Sequence, residues 1–181
     1  MIARHERNDR NEKTFFAALA ALALTAVAAC AATVGNFTAR DLEGKTYTQE
    51  LLGGAKLTVF NAWGTFCPPC LREMPDLGKL AEELKPEGVQ IVGLLCDWFD
   101  RHGGESSAQI EKAKKIAAKT GATYLHLLLD EKLLKYLGSF NAIPQTFFVA
   151  KNGEIVGAVT GAQSGDAWQK MIRDVLAKLD R

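Results

Sequence analysis

The sequence carries almost no net charge and little histidine, and each shortage excludes a class of function. The 22 Lys and Arg residues nearly balance the 21 Asp and Glu residues, which leaves a net charge of +1. The chain has no basic stripe of the kind that binds nucleic acid, so we expect no nucleic-acid partner. Of the three histidines, His5 lies in the predicted leader, and His102 and His126 form no recognisable catalytic triad or metal set.

Beyond its N-terminus the chain also lacks internal repeats and low-complexity segments, and its 181 residues are too few to argue for two domains. Residues 1–30 have the layout of a signal peptide, with a polar and basic start and an uncharged stretch that ends in small residues before Cys30. We predict that residues 31–36 form a short tether and that residues 37–181 form one domain.

The end of the leader predicts how the domain is held at a membrane. Val27-Ala28-Ala29-Cys30 resembles the lipobox of bacterial lipoproteins, in which the cysteine is lipidated and becomes the mature N-terminus. A membrane anchor is the alternative, because the uncharged run from Phe15 to Val34 covers 20 residues, about enough to span a bilayer. Both interpretations predict an extracytoplasmic, membrane-anchored domain.

Two of the four cysteines stand three positions apart at a predicted strand-to-helix junction. Leu57–Trp63 is an apolar and aromatic run that predicts a buried strand. Pro68 and Pro69 are tolerated only in the first turn of a helix, and apolar residues then recur at helical spacing. Cys67 therefore lies at a helix N-terminus, where the helix dipole favours a thiolate and lowers the cysteine pKa. Cys67 is the candidate nucleophile, and Cys70 is the candidate resolving thiol.

The remaining patterns predict a mixed sheet covered by helices. A strand, a helix and the apolar run Val89–Cys96 follow one another, which implies a right-handed crossover and a parallel first half of the sheet. An Asn-Gly turn within residues 149–156 predicts a hairpin, so the second half is antiparallel. The other predicted elements are a hairpin over residues 37–48, a strand over 124–129, and helices from 68 to about 85, over 108–120, over 131–137 and over 167–179.

This combination resembles the thioredoxin superfamily, specifically its extracytoplasmic, membrane-tethered members of the TlpA and ResA type. The matching motifs, spread over residues 37–181, are Trp63, Cys67-Pro68-Pro69-Cys70, Leu71-Arg72-Glu73-Met74-Pro75, Ile143-Pro144 and Asn152-Gly153. The resemblance implies a thioredoxin-like three-layer α/β fold with a central mixed sheet flanked by helices, plus an N-terminal hairpin. It also implies a redox-active Cys67–Cys70 disulfide and no cofactor.

The resemblance assigns further residues to the site. Pro144 matches the cis-proline that faces the dithiol, where its backbone and that of Ile143 would pair with an extended substrate segment. Trp63 and Phe66 complete the predicted substrate-binding set, with core packing as the alternative for Trp63. Glu73 matches an acidic residue thought to tune the cysteines and assist proton transfer, and a surface helix charge is its alternative.

Two positions depart from the family pattern. Asn61 stands where cytoplasmic thioredoxins have a buried aspartate that helps deprotonate the resolving cysteine, so Glu73 or water has to take that role. Phe66 replaces the usual tryptophan before the first cysteine. Outside these motifs, Cys96 is interpreted as a buried inert thiol, with a redox role as the alternative. Trp98 and Phe99 are interpreted as packing of a polar loop, with a docking surface beside the dithiol as the alternative.

The sequence therefore predicts a monomeric thiol-disulfide oxidoreductase that acts, as a reductant, on disulfides of extracytoplasmic proteins. Its expected partners are those proteins and a membrane-embedded thiol electron donor, and the family resemblance suggests apocytochrome c cysteines as one substrate. One alternative is a thiol peroxidase that uses Cys67 or Cys96, although the peroxiredoxin pattern Pro-x-x-x-Thr-x-x-Cys is absent. The other is a non-catalytic lipoprotein, in which Cys67 and Cys70 form a permanent disulfide or bind zinc with Cys96 and His102.

Overall fold

Residues 32–181 are described in the computed structural model of this chain. The predicted leader and Cys30, with the lipidation proposed for it, lie outside the described residues. Within the described part of the chain, no helix combines the length and the hydropathy needed to cross a membrane.

The chain alternates strands and helices and then ends in a hairpin and a helix. The strands are β1 (Thr38–Arg40), β2 (Thr46–Thr48), β3 (Leu57–Trp63), β4 (Val89–Leu95), β5 (Leu125–Leu128), β6 (Gln145–Ala150) and β7 (Ile155–Thr160). The helices are α1 (Pro68–Leu84), α2 (Ser107–Thr120), α3 (Glu131–Leu137) and α4 (Gly165–Leu179). The bounds of β3 and α3 coincide with the prediction.

The five strands from β3 to β7 form one mixed sheet in the order β5-β4-β3-β6-β7. β3, β4 and β5 run parallel, and β6 and β7 are antiparallel to their neighbours. β1 and β2 form a separate antiparallel hairpin. The predicted mixed sheet, with a parallel first half, an antiparallel second half and an N-terminal hairpin, is confirmed.

β3 lies in the middle of the sheet, and its alternating side chains explain the three layers. All seven of its residues are buried, because helices cover both faces of the sheet. Leu57 and Val59 belong to a cluster with α1 and α4, whereas Phe60 and Ala62 belong to a cluster with α3 and the N-terminal residues. The carboxyl end of β3 thus lies at an edge of the sheet, between two layers of helices.

Serine side chains start two helices earlier than apolar spacing predicts. The Ser106 hydroxyl accepts a hydrogen bond from the Gln109 amide, and the Ser164 hydroxyl accepts one from the Ala167 amide (both 3.3 Å). Such caps satisfy amides that the first turn leaves unpaired. α2 and α4 therefore begin one and two residues before their predicted starts. A 3₁₀ helix over Gln49–Gly54 was not predicted from the sequence.

Part of the predicted tether is bound to the turn between β6 and β7. The Val34 amide donates to the Gly153 carbonyl oxygen (2.8 Å), and the Ile155 amide donates to the Ala32 carbonyl oxygen (2.8 Å). Val34 is only 5% exposed. The packed domain therefore includes residues ahead of Phe37.

A chain that begins at Phe37 is expected to be less stable than one that begins at Ala31. The shorter chain loses the burial of Val34, worth about 1.5–3 kcal/mol, and two hydrogen bonds worth about 1 kcal/mol each, so the free energy of unfolding falls by roughly 3–5 kcal/mol. Urea unfolding followed by circular dichroism measures the difference. Equal unfolding free energies for the two chains would contradict this packing.

Candidate active site

Cys67 and Cys70 are joined by a disulfide at the first turn of α1. Cys67 is the N-cap residue of this helix, and its Sγ accepts a hydrogen bond from the Cys70 amide (3.3 Å). Pro68 and Pro69 occupy the first turn, where their missing N–H groups break no helical hydrogen bond. Cys67 is 4% exposed and Cys70 is fully buried, so Cys67 is the more accessible of the two thiol positions.

The segment before β6 forms the facing side of the site. The Ile143–Pro144 peptide bond is cis, and the Ile143 carbonyl oxygen lies 3.7 Å from Cys67 Sγ. Phe66, which precedes Cys67, is 68% exposed. Gly64 lets the side chains of Phe66 and Ile143 pack close to its backbone, because a Cβ at this position would lie 2.9 Å from the Phe66 ring and 3.2 Å from Ile143 Cδ1. The Phe66 side chain and the backbone of the cis Ile143–Pro144 bond therefore flank the nucleophile position.

Glu73, one helical turn after Cys70 on α1, is buried at 2% exposure, and the interpretation of this residue as a surface charge is wrong. Its Oε1 accepts a hydrogen bond from Asn61 Nδ2 (3.0 Å). Its Oε2 accepts from the Gln163 amide (3.0 Å) and from Trp168 Nε1 (3.2 Å). Burial raises the pKa of Glu73, and the three hydrogen bonds partly oppose that shift.

Asn61 links Glu73 to the strand that follows the cis bond. Its Nδ2 also donates to Thr146 Oγ1 (3.0 Å), while its Oδ1 is buried without a hydrogen-bond partner among the described residues. Glu73 stands three positions after Cys70, and residues at that spacing are neighbours on a helix surface. Three buried residues therefore lie together on one face: Asn61, which departs from the family pattern, Glu73, the candidate proton acceptor, and Cys70, the candidate resolving thiol.

Trp63 lies fully buried at the end of β3 and is held by His126, a histidine for which the sequence predicted no role. Its Nε1 donates to His126 Nδ1 (3.1 Å), and His126 Nε2 donates to the Ala122 carbonyl oxygen (2.8 Å). The indole belongs to the apolar cluster that contains Cys67 and Cys70. It therefore packs beneath the dithiol, which is the alternative considered for it, and presents no surface to a substrate.

Gly93 makes the Trp63–His126 contact possible. It lies on β4 beside His126 of β5, and a Cβ at this position would lie 2.1 Å from His126 Nδ1 and 3.0 Å from Trp63 Nε1. Burial lowers the pKa of His126 to about 4, so the imidazole is neutral and can accept from the indole. The available sequence signal was a histidine inside an apolar strand pattern; the glycine opposite it is given only by the sheet register.

Cys96 and His102 do not join the dithiol in a metal site. Burial raises the pKa of the Cys96 thiol to about 12, and the negative charge of Asp97 adds to the shift. The exposed His102 Nε2 accepts a hydrogen bond from Arg101 Nε (3.1 Å). Across residues 32–181, no three His, Cys, Asp or Glu side chains are grouped so that they could hold a metal ion.

Relatives of the chain are thiol-disulfide exchange proteins. A family model described as the AhpC/TSA family matches residues 31–158. The chain is 31% identical over 137 residues to the thiol-disulfide oxidoreductase ResA of Halalkalibacterium halodurans, covering 71% of this chain and 67% of the relative. It is 34% identical over 143 residues to the thiol:disulfide interchange protein DsbE of Haemophilus influenzae, covering 76% and 68%.

A solved structure shows the same fold. The thiol:disulfide interchange protein of the thioredoxin family from Chlorobium tepidum superposes with a TM-score of 0.67 at 21% sequence identity. The superposition covers 81% of this chain and 97% of that protein. The predicted thioredoxin-like fold is therefore confirmed.

The buried His126 is expected to make stability depend on pH. Its folded-state pKa of about 4 lies below the ordinary value of 6.5, so the unfolded chain binds the proton more readily. The contribution is fully present above pH 6.5 and is lost as the pH falls toward 4, by about 3 kcal/mol in total.

Urea unfolding at a series of pH values and constant ionic strength measures this loss. His126→Gln should remove the part of the slope that falls in this window, whereas His102→Gln, at an exposed histidine, should keep the wild-type slope. A wild-type slope in His126→Gln would show that the imidazole titrates normally in the folded protein.

Proposed function

Because the chain belongs to the AhpC/TSA family and is a thiol-disulfide oxidoreductase with a thioredoxin-like fold, we propose that it reduces disulfides of extracytoplasmic proteins. The observation that carries the proposal is the Cys67–Cys70 pair at a helix N-terminus, beside the cis Ile143–Pro144 bond. A pair in that position can exchange with the disulfide of a bound protein.

The reaction proceeds in two exchange steps. In the reduced protein, the Cys67 thiolate attacks one sulfur of the substrate disulfide, that disulfide breaks, and its second sulfur leaves as a thiolate. The Cys70 thiolate then attacks Cys67 Sγ, which closes the Cys67–Cys70 disulfide and releases the first substrate sulfur. Two electrons pass to the substrate. The Cys70 amide and the positive end of the helix dipole stabilise negative charge on Cys67 Sγ.

The second step needs a base for the Cys70 thiol, and Glu73 has that role. It lies one helical turn from Cys70, and burial raises its pKa, which makes its carboxylate a stronger proton acceptor. Asn61 cannot accept the proton in place of an aspartate. Instead, its amide orients the Glu73 carboxylate through the hydrogen bond to Oε1.

The substrate segment lies along the backbone of Ile143 and Pro144. Support comes from the 3.7 Å separation between Cys67 Sγ and the Ile143 carbonyl oxygen, since a segment bonded to this backbone brings its own sulfur close to Cys67. Phe66 supplies exposed apolar surface next to the nucleophile.

The leader supports a location outside the cytoplasm, with the protein anchored as a monomer by a lipid on Cys30. Every turnover leaves Cys67 and Cys70 oxidised, so a membrane-embedded thiol donor has to return the pair to the dithiol. The cysteines of apocytochrome c are one class of substrate that fits this setting.

A thiol peroxidase is supported less well by the site. Peroxide is reduced by a thiolate, and a pKa of about 12 keeps Cys96 protonated at neutral pH. Cys67 has the helix N-terminus but lacks the peroxiredoxin sequence pattern around it.

Replacing Glu73 with Gln tests the proton acceptor. The variant keeps an oxygen to accept from the Gln163 amide and Trp168 but has no basic carboxylate. We expect single-turnover reduction of a disulfide peptide at neutral pH to slow by roughly 10- to 100-fold, with a flatter dependence of the rate on pH. Glu82→Gln, at an exposed position of the same helix, should react at the wild-type rate. A wild-type rate in Glu73→Gln would remove Glu73 from the mechanism.

Replacing Cys70 with Ser tests the order of the two thiols. Without a resolving thiol, mixed disulfides should accumulate on Cys67, visible as adducts on non-reducing gels and identified by mass spectrometry after expression of the full chain. Cys67→Ser should give at least tenfold less adduct, because the remaining Cys70 is buried. Adducts of equal yield in both variants would show that the roles are assigned incorrectly.

A further inference from the structure

A groove of about 670 Å³ opens at the ends of β4 and β5. Its lining is mainly apolar and includes Cys96, Phe99, Leu129, Leu134 and Phe140, and we call it the Phe99 groove. This volume lies within the range of about 300–1,000 Å³ that is usual for ligand sites in proteins.

The groove lies at the edge of the sheet that carries the dithiol. Cys96 and Leu129 directly follow the carboxyl ends of β4 and β5, and both strands run parallel to β3, whose carboxyl end leads to Cys67. Ligands of sheets with parallel strands bind at this edge. A protein that docks on Cys67 therefore faces the groove as well.

Hydrogen bonds join the groove to the dithiol loop. The Cys96 amide donates to the Trp63 carbonyl oxygen (2.9 Å), and the Thr65 amide donates to Asp97 Oδ1 (3.0 Å). Phe140, which also lines the groove, belongs to the segment that leads to Ile143. The groove is therefore lined in part by loops that also border Cys67.

Exposed apolar side chains lie both on the dithiol loop and at the groove. Phe66 and Phe99, at 68% and 49% exposure, are the large hydrophobic side chains that the described chain leaves exposed. The first stands beside Cys67 and the second lines the groove. Trp98, which also lines the groove, is held in place because its Nε1 donates to the Leu129 carbonyl oxygen (2.8 Å).

The rim of the groove is acidic. Asp130 and Glu131 line it, and among residues 32–181 no Lys or Arg does. Asp130 Oδ1 caps α3 by accepting from the Leu133 amide (2.8 Å), whereas Glu131 is exposed in the first turn of that helix. The rim therefore favours a positive charge beside an apolar group.

We propose that the Phe99 groove binds the segment of a substrate protein next to its reactive cysteine, taking one aromatic or leucine-sized side chain with a neighbouring lysine or arginine at the rim. The groove thereby selects which protein disulfides reach Cys67. This inference rests on the proposed function, because it names the class of substrate for the same dithiol. It adds a contact on the β4–β5 side of the site to the Ile143–Pro144 contact on the β6 side.

The test uses two cyclic peptides, each closed by one disulfide. One carries Phe-Lys next to a cysteine, and the other carries Ser-Ser at the same place. Reduced full chain, freed of dithiothreitol, is mixed with each peptide, and single-turnover rate constants are measured by stopped flow. The readout is the ratio of the two rate constants within one protein, which cancels any general change in dithiol reactivity.

We expect the wild type to react about tenfold or more faster with the Phe-Lys peptide, and Phe99→Ser and Leu134→Ser to lower this ratio to about 3 or less. Glu131→Gln should lower it by about twofold to threefold, an effect that added salt reproduces in the wild type. Leu179→Ser, at a half-buried leucine next to Lys56 and so at the opposite edge of the sheet, is the matched control and should keep the wild-type ratio.

A wild-type ratio near 1 overturns the proposal, as do unchanged ratios in both groove variants or an equal fall in Leu179→Ser. If the reduced wild type reacts with neither peptide nor with glutathione disulfide, the proposed function fails instead. In that case, calorimetric titration with the Phe-Lys peptide, its cysteines replaced by serine, tests peptide binding to the groove. Weaker binding to Phe99→Ser than to Leu179→Ser supports the proposal, and equal binding to the two variants overturns it.

Discussion

The start of α1 directly after β3 is the constraint on which the rest of the structure depends. A helix can present unpaired amides and the positive end of its dipole to Cys67 only if its first turn is held at the sheet edge. β3 holds it there because all seven of its residues are buried between two layers of helices. The central position of β3 thus serves the chemistry as well as the core.

The same junction requires a polar network inside an apolar core. Glu73 follows Cys70 by one turn, so its carboxylate is buried where an isolated charge is costly. Three donors from β3, α4 and the residues before α4 offset that cost. Elements distant in sequence therefore fix the position of this carboxylate, one helical turn from Cys70. Trp63 is held in a similar way by His126, across the glycine at position 93.

Local patterns predicted most of the elements because their signals are short in range. A continuous apolar run marked β3, turn residues marked both hairpins, and the two prolines marked the start of α1. Patterns of that kind depend on the 3.6-residue and 2-residue periods of helices and strands. They failed at Ser106 and Ser164, whose caps extend α2 and α4, and at the pairing of residues 32–34 with the β6–β7 turn.

The sequence by itself determined the chemistry of the site: two thiols at a helix start, a proline before a strand, and an asparagine in place of a buried acid. Only the tertiary structure decided that Glu73 is buried against Asn61, that His126 holds Trp63, and that Phe99 borders the dithiol edge. The physical reason is that these features depend on interactions of different range along the chain. A helix start or a turn is set by neighbours in the chain, whereas burial and hydrogen bonds between β3, β5 and α4 exist only once the sheet has brought those segments together.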